Sequence, residues 1–124
     1  MVATSTVLLR KLAESEEIEI ETRRDSKSPL HRTPIWIVPT EKGVYVRSVY
    51  VKGRWYQEAL ANRNVTIRAG GRKVAARVQR VSDSSVIRAI NAAARVKYGE
   101  RWPKDANSFV RLSRQNTTLR LIPQ

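Results

Sequence analysis

The sequence predicts a mainly β domain with flanking helices, an α+β fold built on a small antiparallel barrel of six or seven strands. Three observations carry that expectation. Short stretches alternate apolar and polar residues at the two-residue period of a strand. Gly70-Gly71 stands between two such stretches as a tight hairpin turn. The stretch over 84–98 has instead the roughly 3.6-residue period of a helix. With 124 residues the chain is one domain, 1–124, and its 41% of apolar residues can fill a core.

The elements follow in order. Residues 1–16 are expected to be a short N-terminal helix, best formed over 8–16, or partly disordered. Ile18 and Ile20 alternate with Glu17, Glu19 and Glu21, as in a half-buried edge strand with its glutamates in solvent. The polar segment 25–34, DSKSPLHRTP, holds two prolines and reads as a turn or exposed loop. IWIV over 35–38 is a short apolar strand, and TEKG turns into a strand over 44–51. Residues 54–62 form a short helix, with Asn62 as its C-cap. Val65, Ile67 and Ala69 make one hairpin strand, and the return spans about 73–81. Glycine suits the turn because the favoured tight turns need positive φ. Val74, Ala76 and Val78 share a face while Val81 falls out of phase, which predicts a bulge near Gln79 or Arg80. Ser82 and Asp83 offer caps for the helix over 84–98, whose stripe is Val86, Ile87, Ile90, Ala93, Ala94 and Tyr98 and whose end is Gly99. A loop with Trp102 and Pro103 leads to strands near 108–113 and 117–122.

Composition narrows the function classes. There are no cysteines, hence no disulfides or thiolate metal sites, and the single His31 cannot build a zinc site alone. No metal is expected. No apolar run approaches the roughly 18 residues that cross a membrane, and the N-terminal residues lack a signal-peptide core, so a cytoplasmic protein is expected. His31 has no identifiable partner for a hydrolytic triad, and AGGRK lacks the spacing of a nucleotide-binding loop.

The charge is +13, from 24 basic and 11 acidic residues, seventeen of the bases being arginine. It is uneven: residues 1–25 hold four bases and six acids, and the remainder twenty bases and five acids. A basic nucleic-acid-binding module without catalysis is therefore one reading. The cations are dispersed singly along alternating strands, and the eight aromatics sit mostly at core positions rather than spaced for base stacking. Weak, nonspecific association with RNA or DNA is the expectation from charge alone.

TPIWIV, GVYVRSV, GRWYQEALAN and VTIRAGGRKVAARVQRV, in this order, resemble the flavin-binding split-barrel superfamily, which includes pyridoxamine phosphate oxidase-like proteins and deazaflavin-dependent nitroreductases. The resemblance covers roughly residues 17–122 and is nearest to a bacterial family of unknown function within that fold. It implies a homodimer with a flavin (FMN) or deazaflavin at the interface, and hydride transfer to a small organic substrate. It also implies site residues. The cofactor phosphate would lie at the corner of Arg47, Ser48, Lys52, Gly53, Arg54, Trp55 and Tyr56, and the ring along the backbone at Arg32 and Thr33, with Trp36 facing core or ring. Arginine offers a planar fork to a phosphate, and a helix start offers free N–H groups. Strand alternation puts Arg47 and Ser48 on opposite faces, so one of them, Arg47, is the expected contact unless the strand end turns the other. No catalytic acid or base stands out among Tyr45, Tyr50 and Tyr56.

Overall fold

The computed structural model describes residues 2–111 and 115–124, with side chains from Thr4 onward. The described residues form α1 (Val2–Leu12), β1 (Ile18–Thr22), β2 (His31–Ile35), β3 (Val38–Thr40), β4 (Gly43–Arg47), α2 (Arg54–Ala61), β5 (Asn64–Ala69), β6 (Arg72–Arg80), α3 (Ser84–Tyr98), α4 (Pro103–Phe109) and β7 (Thr118–Pro123). The strands make one antiparallel sheet in the order β2-β1-β5-β6-β7-β4-β3. β2 and β3 occupy opposite edges, yet only Trp36 and Ile37 separate them along the chain. Three Cα steps reach about 11 Å at most. The sheet must therefore curl until its two edges approach, giving an antiparallel barrel split between β2 and β3.

Each face of the curled sheet meets its own helices. On one face Val65, Ile67, Val74, Ala76, Val78 and Leu119 pack with Leu9 and Leu12 of α1 and Ala59 of α2. On the other, Val38 and Tyr45 pack with Ile90, Ala94 and Tyr98 of α3 and with Ala106 and Phe109 of α4. The Gly-Gly hairpin forms as expected, with φ of 57° at Gly70 and 76° at Gly71. Asp83 caps α3, its carboxylate accepting from the Ser85 and Val86 amides at 2.9 and 3.2 Å. Asn62 is the C-cap of α2, and its amide donates to the Glu58 carbonyl.

Several expectations are corrected. The N-terminal helix runs earlier, over Val2–Leu12. His31–Ile35 is a strand despite Pro34, because β2 is an edge strand, where a missing N–H is tolerated. The expected strand over 35–38 is broken at Trp36 and Ile37, where the chain crosses the split. The strand over 44–51 stops at Arg47, and the chain turns at Val51 and Lys52. The region near 108–113 is not a strand at its start: Pro103 opens α4, and Ala106 and Phe109 bury one helical face; 112 and 113 lie outside the described residues. No bulge occurs near Gln79, since pairing with β7 stays in register from Ala76↔Pro123 to Arg80↔Leu119. Val81 is out of phase because it packs on the other face, against the α3–α4 cluster. β1 is an interior strand, and Glu21 on it is buried, not solvated.

Candidate functional site

The described chain opens a cleft of about 470 Å³ beside the split. One wall is the end of β2 with Thr33, Pro34, Ile35 and Trp36. A second is the end of β4 and its turn, with Arg47, Ser48, Val49, Tyr50 and Gly53. Trp55 of α2 and Asp105, Ser108 and Phe109 of α4 complete it, with Glu17 also lining it.

Arg47 is the unusual member. Its side chain sits at the strand end, only 3% exposed. Nε donates to the Thr118 hydroxyl at 2.8 Å, and Nη1 to the Asn91 side-chain oxygen and the Phe109 carbonyl, both at 2.8 Å. The guanidinium lies 4.9 Å from the centre of the Phe109 ring. Nη2 is buried without a hydrogen-bond partner, and no carboxylate pairs with this cation among the described residues. Burial pushes its pKa down to about 10, so it stays charged at neutral pH. An uncompensated cation in a low-dielectric wall is costly, and it attracts an anion strongly for the same reason.

Because β4 ends at Arg47, the chain turns there and Ser48 also reaches the cleft, although the two side chains leave a regular strand on opposite faces. Ser48 Oγ donates to the Tyr50 carbonyl at 2.6 Å, accepts from the Tyr50 amide at 3.2 Å, and the Gly53 amide donates to the same Tyr50 carbonyl at 3.1 Å. A Cβ at Gly53 would stand 3.0 Å from Ser48 Oγ and 3.1 Å from the Tyr50 oxygen, so glycine allows this tight corner.

Of the nine residues singled out in the sequence, Thr33, Arg47, Ser48, Gly53 and Trp55 line the cleft. Lys52 and Arg54 are exposed and outside its lining. Tyr56 is buried beside it, its hydroxyl donating to the Asn116 carbonyl at 3.3 Å, and its ring meets Trp55 edge-on. Arg32 points to Glu21, with Nε–Oε2 at 3.2 Å; Arg68 reaches the same oxygen at 2.8 Å. Burial acts to raise the Glu21 pKa, but the hydrogen bonds from Arg68 and Arg32 outweigh it and hold the carboxyl below its usual range.

Sequence reasoning missed Glu17, Asp105, Ser108 and Phe109 as cleft residues, the last three because α4 was read as loop and strand. It also missed how Trp36 is held. The indole stacks on Tyr98 with ring centres 3.8 Å apart. The Tyr98 hydroxyl donates to the Glu16 carbonyl at 2.5 Å, lies 3.1 Å from the Ile37 carbonyl as an alternative acceptor, and accepts from the Ile37 amide. His31 does have a partner: Nδ1 lies 2.8 Å from Glu58 Oε2, and Thr22 donates to Glu58 Oε1 at 2.8 Å. This joins α2 to β1 and β2 and lies outside the cleft lining. Among the described residues no group of three or more potential ligands could hold a metal ion, and no helix is long and apolar enough to cross a membrane.

A family model described as an uncharacterized protein conserved in bacteria (DUF2255) matches residues 8–121. No curated protein matches the sequence. Solved structures share the fold at low identity. The heme storage protein HutZ from Vibrio cholerae is 16% identical with a TM-score of 0.67, over 95% of this chain and 89% of that one. An F420-H2 dependent reductase is 14% identical with a TM-score of 0.58, over 86% and 93%. A FAD-binding protein from Mesorhizobium loti is 13% identical with a TM-score of 0.56, over 95% and 88%.

Proposed function

We propose that this chain, which belongs to the bacterial DUF2255 family, binds a flavin or deazaflavin in the cleft beside Arg47 and serves as an oxidoreductase toward a small organic substrate. The observation that carries the reading is the buried Arg47 guanidinium, with one donor unpartnered and no carboxylate paired with it among the described residues. Its chemistry suits the phosphate of such a cofactor. The rest of the lining fits as well. Trp36 and Phe109 give the cleft an aromatic wall, Thr33, Pro34 and Ile35 of the edge strand line it, and the Gly53 corner keeps side-chain bulk away.

A bound flavin or deazaflavin would supply the hydride chemistry. This chain's residues would bind and orient: Arg47 holds the anionic group, Ser48 and Gly53 shape the corner, and Trp36, fixed by Tyr98, bounds the ring. The fold is shared with a FAD-binding protein and an F420-H2 dependent reductase, which supports this choice. It is also shared with a heme storage protein, but histidine-ligated heme does not fit here. The single histidine is engaged by Glu58 and does not line the cleft, and there is no cysteine.

The absorption spectrum of freshly purified protein, followed by calorimetric titration with FMN and with a deazaflavin, tests the proposal. Micromolar or tighter binding of one of them is expected. A folded protein that binds neither removes the reading.

A further inference from the structure

The outer face of β6 is open and basic. Along this strand Val74, Ala76 and Val78 are buried, while Lys73, Ala75, Arg77 and Gln79 are exposed on the opposite face. Directly paired residues share a face. Arg68 of β5 therefore flanks Lys73, Ile122 of β7 flanks Arg77, and Arg120 flanks Gln79. Arg68 is held by Glu21, which Arg32 also uses. No carboxylate pairs with Lys73, Arg77 or Arg120 among the described residues, and the like-charged Arg68 and Lys73 stand directly opposite each other. Like charges so placed destabilise a sheet. None of these residues lines the cleft.

We infer that this face docks the phosphate backbone of a nucleic acid, in duplex form and without reading its sequence. Charge complementarity selects the occupant. Glu19 and Glu21 of β1 share the face at its β1 side, across from Arg68 and Thr66. Over β6 and β7 it carries Lys73, Arg77 and Arg120 with alanine and glutamine between them and no carboxylate, and its largest exposed apolar side chain there, Ile122, is 37% exposed. A protein partner needs an apolar, aromatic-rich centre to its interface, which this face lacks. Lys73 and Arg77 stand about 13 Å apart along the strand, four residues at roughly 3.3 Å each; Arg72 and Arg80, at the strand ends, leave it on the other face, with Val74, Ala76 and Val78. The face has no aromatic side chain to stack on a base, so contacts go to phosphates, which position without specifying.

The test is fluorescence anisotropy of the full chain with a short labelled DNA duplex, across salt from roughly 50 to 200 mM. Each phosphate contact contributes about 0.9 to the slope of log affinity against log salt. The double variant Lys73→Gln/Arg77→Gln should lower that slope by about 1.8 and weaken binding at least tenfold at the low-salt end. Arg88→Gln/Arg95→Gln, with the same charge removed from α3, should leave the slope unchanged, and a scrambled duplex should bind equally. Equal losses from both double variants would show that only the bulk charge matters and overturn the assignment. Sequence preference would overturn the backbone mode. A shift from dimer to monomer in Lys73→Gln/Arg77→Gln, by sedimentation, with unchanged duplex binding would make a second copy the occupant and overturn it too.

Discussion

At Arg47 two roles meet, and they can be separated. The guanidinium ties β4 to β7, α3 and α4 through Thr118, Asn91 and Phe109, so any replacement loosens the fold. Its uncompensated charge is a different matter. Arg47→Lys keeps a charge and can satisfy some of those acceptors, whereas Arg47→Gln loses the charge. Measured well below the melting temperature of each variant, Arg47→Gln should lose about 1.5–3 kcal/mol of affinity for a phosphate-bearing flavin, roughly ten- to a hundredfold or more, and Arg47→Lys clearly less. If both variants melt earlier yet bind as tightly as the parent, Arg47 is structural only. Lys97 offers a second residue-scale test. Nζ donates to the Ala13 and Ile37 carbonyls at 2.8 and 2.7 Å, and burial pushes its pKa down to about 8. An unfolded chain keeps that proton to about 10.5, so above pH 8 the unfolded state binds more protons and stability rises with pH. The neighbouring Tyr98 acts in the opposite sense. Burial above all raises its pKa from 10.0 to about 12, the nearby Glu16 and Glu17 adding to this and the Ile37 hydrogen bond opposing it. The folded state therefore holds that proton longer, and stability falls between pH 10 and 12. The Lys97 contribution is thus clearest between pH 8 and 10. Melting curves of the parent should rise across that window by a few degrees relative to Lys97→Met, whatever their absolute positions; parallel curves would mean Lys97 titrates normally.

Elements were legible where one local cause sets them. The Gly70-Gly71 turn, the Asp83 cap and the alternation of Val74, Ala76 and Val78 are each decided within a few residues, and each is as expected. The failures came where tertiary packing decides. Val81 suggested a bulge because alternation assumes one core, whereas the sheet has an apolar cluster on both faces. The α4 segment hides its helix because only Ala106 and Phe109 of its seven residues are buried, too few to show a period. Pro103, at the first helical position, was the available signal. The cleft was legible through its β4–α2 corner and illegible through α4, which is why Asp105, Ser108 and Phe109 were missed while Arg47 and Gly53 were found. The hairpin supplies the prediction at this scale. A Cβ at Gly71 meets nothing within 4 Å, so only the φ of 76° opposes a side chain. Gly71→Ala should therefore lower unfolding stability in urea by about 1–2 kcal/mol, and Gly71→Asn by less, since asparagine visits this region more readily. Equal losses would point to a contact rather than to backbone conformation.

Across the whole molecule, the split barrel follows from a constraint no single stretch displays: β2 and β3 must sit on opposite edges of the sheet and yet within a few residues of each other. That closure leaves the cleft open toward the turn after β4, where Val49, Tyr50 and Val51 are 53, 70 and 53% exposed. Three consecutive apolar side chains at a cleft mouth are unusual on a surface otherwise rich in arginine. We propose that a second copy of the chain covers them and completes the cofactor site, as the resemblance to flavin-binding split barrels implied. Val51→Asp tests this, because Val51 does not line the cleft and the substitution keeps the backbone carbonyl that accepts from Gln57. Exposed substitutions of this kind usually change stability by no more than about 0.5 kcal/mol. The parent should sediment as a dimer, the variant as a folded monomer, and flavin affinity should fall at least tenfold in the variant while its melting temperature without cofactor stays near that of the parent. A variant that remains dimeric would place the interface elsewhere. A parent that is monomeric and still binds flavin at micromolar concentration would mean that the residues of one chain, with Arg47 at their centre, suffice for the site.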